Sequence, residues 1–168
     1  CLVYLLASFL AAMPYNIKPG KLKRLPKVSV IIAAKNEENV IEKTLKALRK
    51  SDYPKLEIIV ADSSTDSTRK IAEKYADKVI TVAGKGKPHA LNAAARRAKG
   101  DVLYFADADT RVEKGTIRKL VSALSEDKAA TGICLPENKR GIAARMSRLQ
   151  IAMLYAMNLA SMKVMKTA

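Results

Sequence analysis

Cysteine is nearly absent from this chain: Cys1 and Cys134 are far apart and follow no metal-ligand spacing. That argues against a disulfide framework and favours a reducing compartment. Aromatic residues are sparse, at 5% with no tryptophan, so the platforms on which single-stranded nucleic acid stacks are scarce. Histidine occurs once, as His89. Acidic residues are outnumbered, with 16 Asp and Glu against 31 Lys and Arg for a net charge of +15. Such an excess favours a polyanionic partner: nucleic acid, an anionic membrane surface or a phosphorylated substrate. The opening run from Cys1 to Met13 is apolar apart from Ser8, yet it is shorter than the ~20 residues a membrane helix needs. It reads as a buried helix or as the truncated end of a transmembrane helix, since the basic start of a signal peptide is missing. Lys18, Lys21, Lys23, Arg24 and Lys27 follow it. Basic residues beside a span favour the cytoplasmic side, so the membrane reading places everything downstream in the cytosol. A first residue that is Cys rather than Met adds the expectation of a fragment.

What is present is a regular alternation. The 168 residues suffice for one domain with a real core. Val28 to Ile32 reads as a buried strand, Glu38 to Lys50 as a helix with Val40, Ile41, Leu45 and Leu48 on one face, and Leu56 to Val60 as a second strand. A helix over Ser64 to Tyr75 with Ile71 and Tyr75 inward comes next, then a strand over Lys78 to Val82. The Gly84-Lys85-Gly86 loop leads into an Ala-rich helix near Pro88, which stops near Gly100. Asp101 to Ala106 is a fourth strand, Lys114 to Glu126 a helix, and Ala130 to Leu135 a fifth strand. This order predicts an α/β fold with right-handed crossovers and a mostly parallel sheet covered on both faces. The stretch Gly141 to Ala168 carries Arg145, Arg148, Lys163 and Lys166 and no acid. It reads either as a helix packed on the sheet or as a basic amphipathic helix at a membrane surface. The expected organisation is a membrane segment and basic linker over 1–26, the α/β domain over 27–136 and the basic helix over 137–168.

Ligands of such sheets bind beyond the carboxyl ends of the strands. Polar or glycine-rich residues stand at each of those ends: Ala33 to Glu37, Asp62 to Asp66, Gly84 to Lys87, and Asp107 to Asp109. Asp107-Ala108-Asp109 is the strongest local signal. Side chains two apart in an extended segment point the same way, so both carboxylates can face one ligand. Two close carboxylates repel each other unless a cation compensates them. Mg²⁺ or Mn²⁺, with hard oxygen ligands and open positions for phosphate, would do so. Without further context the same tripeptide also fits a solvated turn with helix-capping aspartates.

The context is a set of four segments. Val28-Ser29-Val30-Ile31-Ile32-Ala33-Ala34-Lys35-Asn36-Glu37-Glu38, Val60 to Thr68, and Gly86-Lys87-Pro88-His89-Ala90-Leu91-Asn92 precede Asp107-Ala108-Asp109. In this order they resemble the family 2 glycosyltransferases, over about Lys27 to Leu135. The resemblance implies a GT-A (Rossmann-like) fold and a nucleoside-diphosphate sugar donor, a UDP- or GDP-sugar. It places the Ala33, Ala34, Lys35 and Glu37 loop and Asp62 at the nucleobase and ribose, and Lys87 at the nucleotide or its phosphates. It places Asp107 and Asp109 at the metal and the ribose side of the donor. Ala33 and Lys35 stand where the family often has proline and an aromatic, and Ala61 where it often has aspartate. The implied acceptor is lipid-linked or saccharide, at a membrane, with no nucleic acid.

The resemblance also implies inversion through a carboxylate base on a later segment. No Asp or Glu lies in Gly141 to Ala168, so the base is expected outside this chain. A lipid-phosphate acceptor, already ionised, would need little help from one. His89 reads as a loop or capping residue rather than a base. Two rival classes follow from the same residues. A haloacid-dehalogenase-type phosphatase also uses Asp-x-Asp-x-Thr, as in Asp107 to Thr110, but on its first strand, whereas three strands precede the motif here. A non-enzymatic basic module binding membrane or nucleic acid would gather its charge on one face, with steeply salt-sensitive, metal-independent binding.

Overall fold

β-Branched residues fill strand positions because a branched side chain packs well on a pleated surface, and here they build a parallel sheet. The computed structural model describes residues 25–83 and 86–124, together with 141, 142 and 146. Four strands, β1 (Val28–Ala34), β2 (Leu56–Asp62), β3 (Lys78–Thr81) and β4 (Val102–Asp107), pair in parallel in the order β3-β2-β1-β4. Between them run helices α1 (Ile41–Arg49), α2 (Thr68–Ala72), α3 (Lys87–Ala95) and, after β4, α4 (Thr116–Ala123). All belong to the compact unit Pro19–Ala130.

Side chains alternate between the two faces of a strand, and the core divides accordingly. Val28, Val30, Ile32, Ile58 and Val60 pack on one face with Ile41, Leu45 and Leu48 of α1, Ala72 of α2, and Ile117 and Val121 of α4. Ile31, Ile59, Ala61 and Ile80 pack on the other with Ala90 and Ala94 of α3. The division follows from handedness. The chain moves outward from β1 through β2 to β3, then returns to place β4 beside β1. A right-handed crossover in the reverse direction must use the opposite face, so α3 lies alone there among the described helices. It covers β1 and β2, while Leu103 and Phe105 of β4 stay 41% and 52% exposed.

Helices on both faces of a parallel sheet match the sequence expectation, and every expected strand up to β4 is present. All four helices are shorter than expected: α3 ends at Ala95 rather than near Gly100, α4 spans Thr116–Ala123 within the expected Lys114 to Glu126, and the other two start late. α1 begins at Ile41 rather than Glu38, and α2 spans Thr68–Ala72 rather than Ser64 to Tyr75. Of the residues lost from these two helices, Glu38 and Ser64 to Ser67 are engaged in hydrogen bonds to the other loop, described below. Ile71 and Tyr75 do pack against the core. The expected strand over 130–135, the terminal segments 1–24 and 147–168, and Gly84 and Lys85 lie outside the described residues. Among the described residues, no helix is long and apolar enough to cross a membrane.

The amino-terminal edge of the sheet is closed by one buried acid. Glu57 accepts hydrogen bonds from Ser29 Oγ at 2.7 Å, Lys99 N at 2.9 Å and Lys78 Nζ at 3.0 Å. Burial alone would raise its pKa, but Ser29, the Lys99 amide and Lys78 outweigh that and lower it to about 2. Gly100 N donates to Ser29 Oγ at 2.9 Å, and a Cβ at Gly100 would come within 2.5 Å of Ser29 N. Only glycine permits that approach.

Candidate functional site

Parallel strands end at a common edge, and the register places their last residues side by side. Ala34 of β1 pairs with Asp62 of β2, Asp62 with Thr81 of β3, and Ala33 of β1 with Asp107 of β4. Asp62 and Asp107 therefore flank the end of β1, two strand spacings or about 10 Å apart. The reversal of strand order falls at β1 and β4, where sheets of this kind bind ligands.

The loops after β1 and β2 are laced together. Asn36 takes a positive φ of 57°, a conformation asparagine tolerates better than most residues. Its amide donates to Ser64 Oγ at 2.8 Å, and its Oδ1 accepts from Thr65 N at 3.0 Å. Glu37 N donates to the buried Thr68 Oγ1 at 2.8 Å, and Glu38 Oε2 accepts from Ser67 N at 3.0 Å. Asp66 accepts from Glu38 N at 3.3 Å and Thr68 N at 2.9 Å. Desolvation alone would raise the Asp66 pKa, but the hydrogen bonds from Thr68 and Glu38 hold it below the ordinary value. These bonds explain the late starts of α1 and α2: residues 36–38 and 64–67 serve each other instead of a first helical turn. The result is a braced ledge beside Asp62, which is 2% exposed and accepts from Ser64 N at 3.2 Å.

The aspartate pair lies at the other side of β1. Asp107 and Asp109 are exposed while Ala108 between them is buried, so both carboxylates face out of the core. Two hydrogen bonds hold this turn. Thr110 N donates to the Asp107 carbonyl at 3.1 Å, and the buried Thr44 Oγ1 of α1 donates to the Ala108 carbonyl at 2.7 Å. Lys87, the first residue of α3, reaches Asp107 Oδ1 with its Nζ at 2.5 Å. Gly86, with a φ of 87°, turns the chain into that helix, and Pro88 follows in its first turn. Among the described residues no group of three or more Asp, Glu, His or Cys gathers to hold a metal. Asp107 and Asp109 are the carboxylates this edge would offer a divalent cation, and hard oxygen donors of that kind suit Mg²⁺ or Mn²⁺.

The structure brings most of the sequence-predicted residues to one edge. Ala33 and Ala34 end β1, with Ala34 buried and Ala33 half-buried, and the exposed Lys35 and half-buried Glu37 follow in the braced loop. Asp62, Lys87, Asp107 and Asp109 complete the edge. His89 is exposed in the first turn of α3, whose cap is Gly86 with no side-chain capping bond. Sequence reasoning missed Thr44, Thr68 and the Asn36–Ser64–Thr65 contacts. Their signal was a polar residue at a core-facing helix position, as with Thr44 between Ile41 and Leu48.

A model of the family described as "Glycosyl transferase family 2" matches residues 29–162. The probable glycosyltransferase YdaM of Bacillus subtilis is 45% identical over 124 residues, covering 67% of this chain and 30% of that protein. Among solved structures, the mannosyltransferase PcManGT of Pyrobaculum calidifontis, in complex with GDP-Man and Mn²⁺, superposes with a TM-score of 0.65. It is 32% identical, and the match covers 75% of this chain and 40% of that one. Staphylococcus aureus TarS 1-349 in complex with UDP-GlcNAc is 34% identical with a TM-score of 0.51, covering 57% of this chain and 30% of that one. The chain thus spans less than half the length of these relatives.

Proposed function

The chain belongs to glycosyl transferase family 2, and on that premise we propose that it carries the nucleotide-sugar site of a metal-dependent, inverting glycosyltransferase. The donor is a UDP- or GDP-sugar, and the acceptor is lipid-linked or saccharide. One observation carries this reading: Asp107 and Asp109 stand exposed on either side of the buried Ala108, at the carboxyl edge that also holds Asp62. PcManGT with its GDP-Man and Mn²⁺ and TarS with its UDP-GlcNAc support the donor class.

The roles follow from position. Asp62, with the Ala33 to Glu37 loop, receives the nucleobase and ribose, where a carboxylate accepts from a ring imide, an exocyclic amine or a hydroxyl. The lacing of the two loops orders that ledge before the ligand arrives, which lowers the entropic cost of binding. Lys87 meets the diphosphate as a point charge. Asp107 and Asp109 would hold Mg²⁺ or Mn²⁺, with Thr44 orienting the turn. The cation, when bound, offsets negative charge on the departing diphosphate without a proton transfer.

The enzyme works at a membrane with this domain on the cytoplasmic side. That reading draws on the apolar run Cys1 to Met13 and on Lys18, Lys21, Lys23, Arg24 and Lys27 after it. The donor site is tested by calorimetric titration of the chain with UDP and GDP, each with and without Mn²⁺. We expect metal-dependent binding of one nucleotide, strongly weakened in Asp109→Ala. A folded chain that binds neither nucleotide, with or without Mn²⁺, overturns the reading.

A further inference from the structure

Resting on the donor-site reading, we propose that Lys87 is a stand-in cation: its ammonium occupies the metal-facing carboxylate of Asp107 until metal and diphosphate arrive together. The pair joins the first residue of α3 to the last residue of β4, with Nζ 2.5 Å from Oδ1. Both side chains are more than half exposed, at 56% and 57%, so nothing buries the contact and an incoming cation can compete for the carboxylate. Asp107 and Asp109 carry like charges two residues apart at the end of β4, and Lys87 brings the opposite charge to the first of them.

The geometry gives Lys87 two successive partners. Its stem is long and flexible and its head a compact charge. It springs from the helix start directly after Gly86, at the same sheet edge where a diphosphate would lie. A divalent cation arriving alone must displace the ammonium and then bind beside it. A cation that arrives with a diphosphate gives the ammonium a new anion. Metal and nucleotide therefore bind cooperatively, and the coupling is reciprocal. The site thus takes free metal weakly and favours the metal–nucleotide complex.

The test is Mn²⁺ titration of the full 168-residue chain, read by the electron paramagnetic resonance of free Mn²⁺, with and without UDP or GDP. Lys87→Met is expected to bind Mn²⁺ alone about two- to fivefold more tightly than the wild type, in line with the modest strength of an exposed ion pair. The same variant is expected to bind nucleotide at saturating Mn²⁺ about tenfold more weakly, since a charge-assisted contact is lost. Effects of opposite sign on the two ligands are what a merely structural residue would not produce. Lys87→Arg, which keeps the charge, is expected to bind Mn²⁺ alone within about twofold of the wild type. Unchanged or weaker Mn²⁺ binding by Lys87→Met, while Asp109→Ala abolishes it, overturns the stand-in role and leaves the donor site intact. Retention of both Mn²⁺ and nucleotide binding by Asp109→Ala sinks the donor-site reading itself, and the proposal with it.

Discussion

Glu57 and the pair Asp107 and Asp109, at opposite ends of the sheet, are treated in opposite ways. At the amino-terminal edge Glu57 is buried and fully engaged by Ser29, Lys78 and the Lys99 amide. At the carboxyl edge Asp107 and Asp109 stand exposed, and the one ion pair to them among the described residues is the exposed contact from Lys87. The chemistry of the groups is the same, so the surroundings decide their roles. A carboxylate whose lone pairs are taken by fixed donors contributes stability and has nothing left for a ligand. One held in place through its backbone, with its oxygens open, can bind a cation. In Asp107-Ala108-Asp109 the backbone is what the protein grips, through Thr44 and the Thr110 amide.

Substitutions can break this contrast at either end. The largest effect is expected at Glu57. A pKa lowered from 4.5 to about 2 corresponds to roughly 3 kcal/mol of stability. Because the folded value is the depressed one, that contribution is complete above the unfolded value and is lost as pH falls from about 4.5 to about 2. Glu57→Ala should thus cost about 3 kcal/mol in urea denaturation at neutral pH and flatten the acid limb of stability, while nucleotide binding per folded molecule stays unchanged. An acid limb as steep as in the wild type would show that other groups carry it.

A smaller loss, about 2 kcal/mol, is expected for Gly100→Ala, where the new methyl meets the β1 backbone and something must shift. Thermal unfolding measures it, and again nucleotide affinity should hold. Thr44→Val sharpens the comparison because it reaches the open end from the core. Loss of the bond to Ala108 O should cost about 1 kcal/mol and weaken Mn²⁺–nucleotide binding several-fold, since the turn is no longer held. Were stability to fall with binding untouched, Thr44 would belong with the closed end in kind.

Much of the open end was legible in the sequence. Apolar runs at strand spacing located β1 to β4, and polar residues at their carboxyl ends were bound to converge once the strands were parallel. Hence Asp62, Asp107 and Asp109 could be named before any coordinates. The closed end was not legible. Glu57 sits in an apolar run as an ordinary acid, and its partners Ser29, Lys78 and Lys99 come from three other segments. The helix limits failed for the same reason. Residues near Asn36 and Ser64 look helical locally, yet they are bound to each other across 28 and 29 positions of sequence.

What the sequence determined by itself was the element order, the parallel sheet and the polar residues at its carboxyl edge, because hydrophobic period and strand polarity are local properties of the chain. The tertiary structure alone decided which acids are spent on stability and which remain open. It also decided that Thr44 steadies the aspartate turn and that Lys87 reaches Asp107. Those outcomes depend on which atoms meet across strands and helices distant in sequence, and a hydrogen bond is formed or left unmade only where the packed backbones bring donor and acceptor within reach.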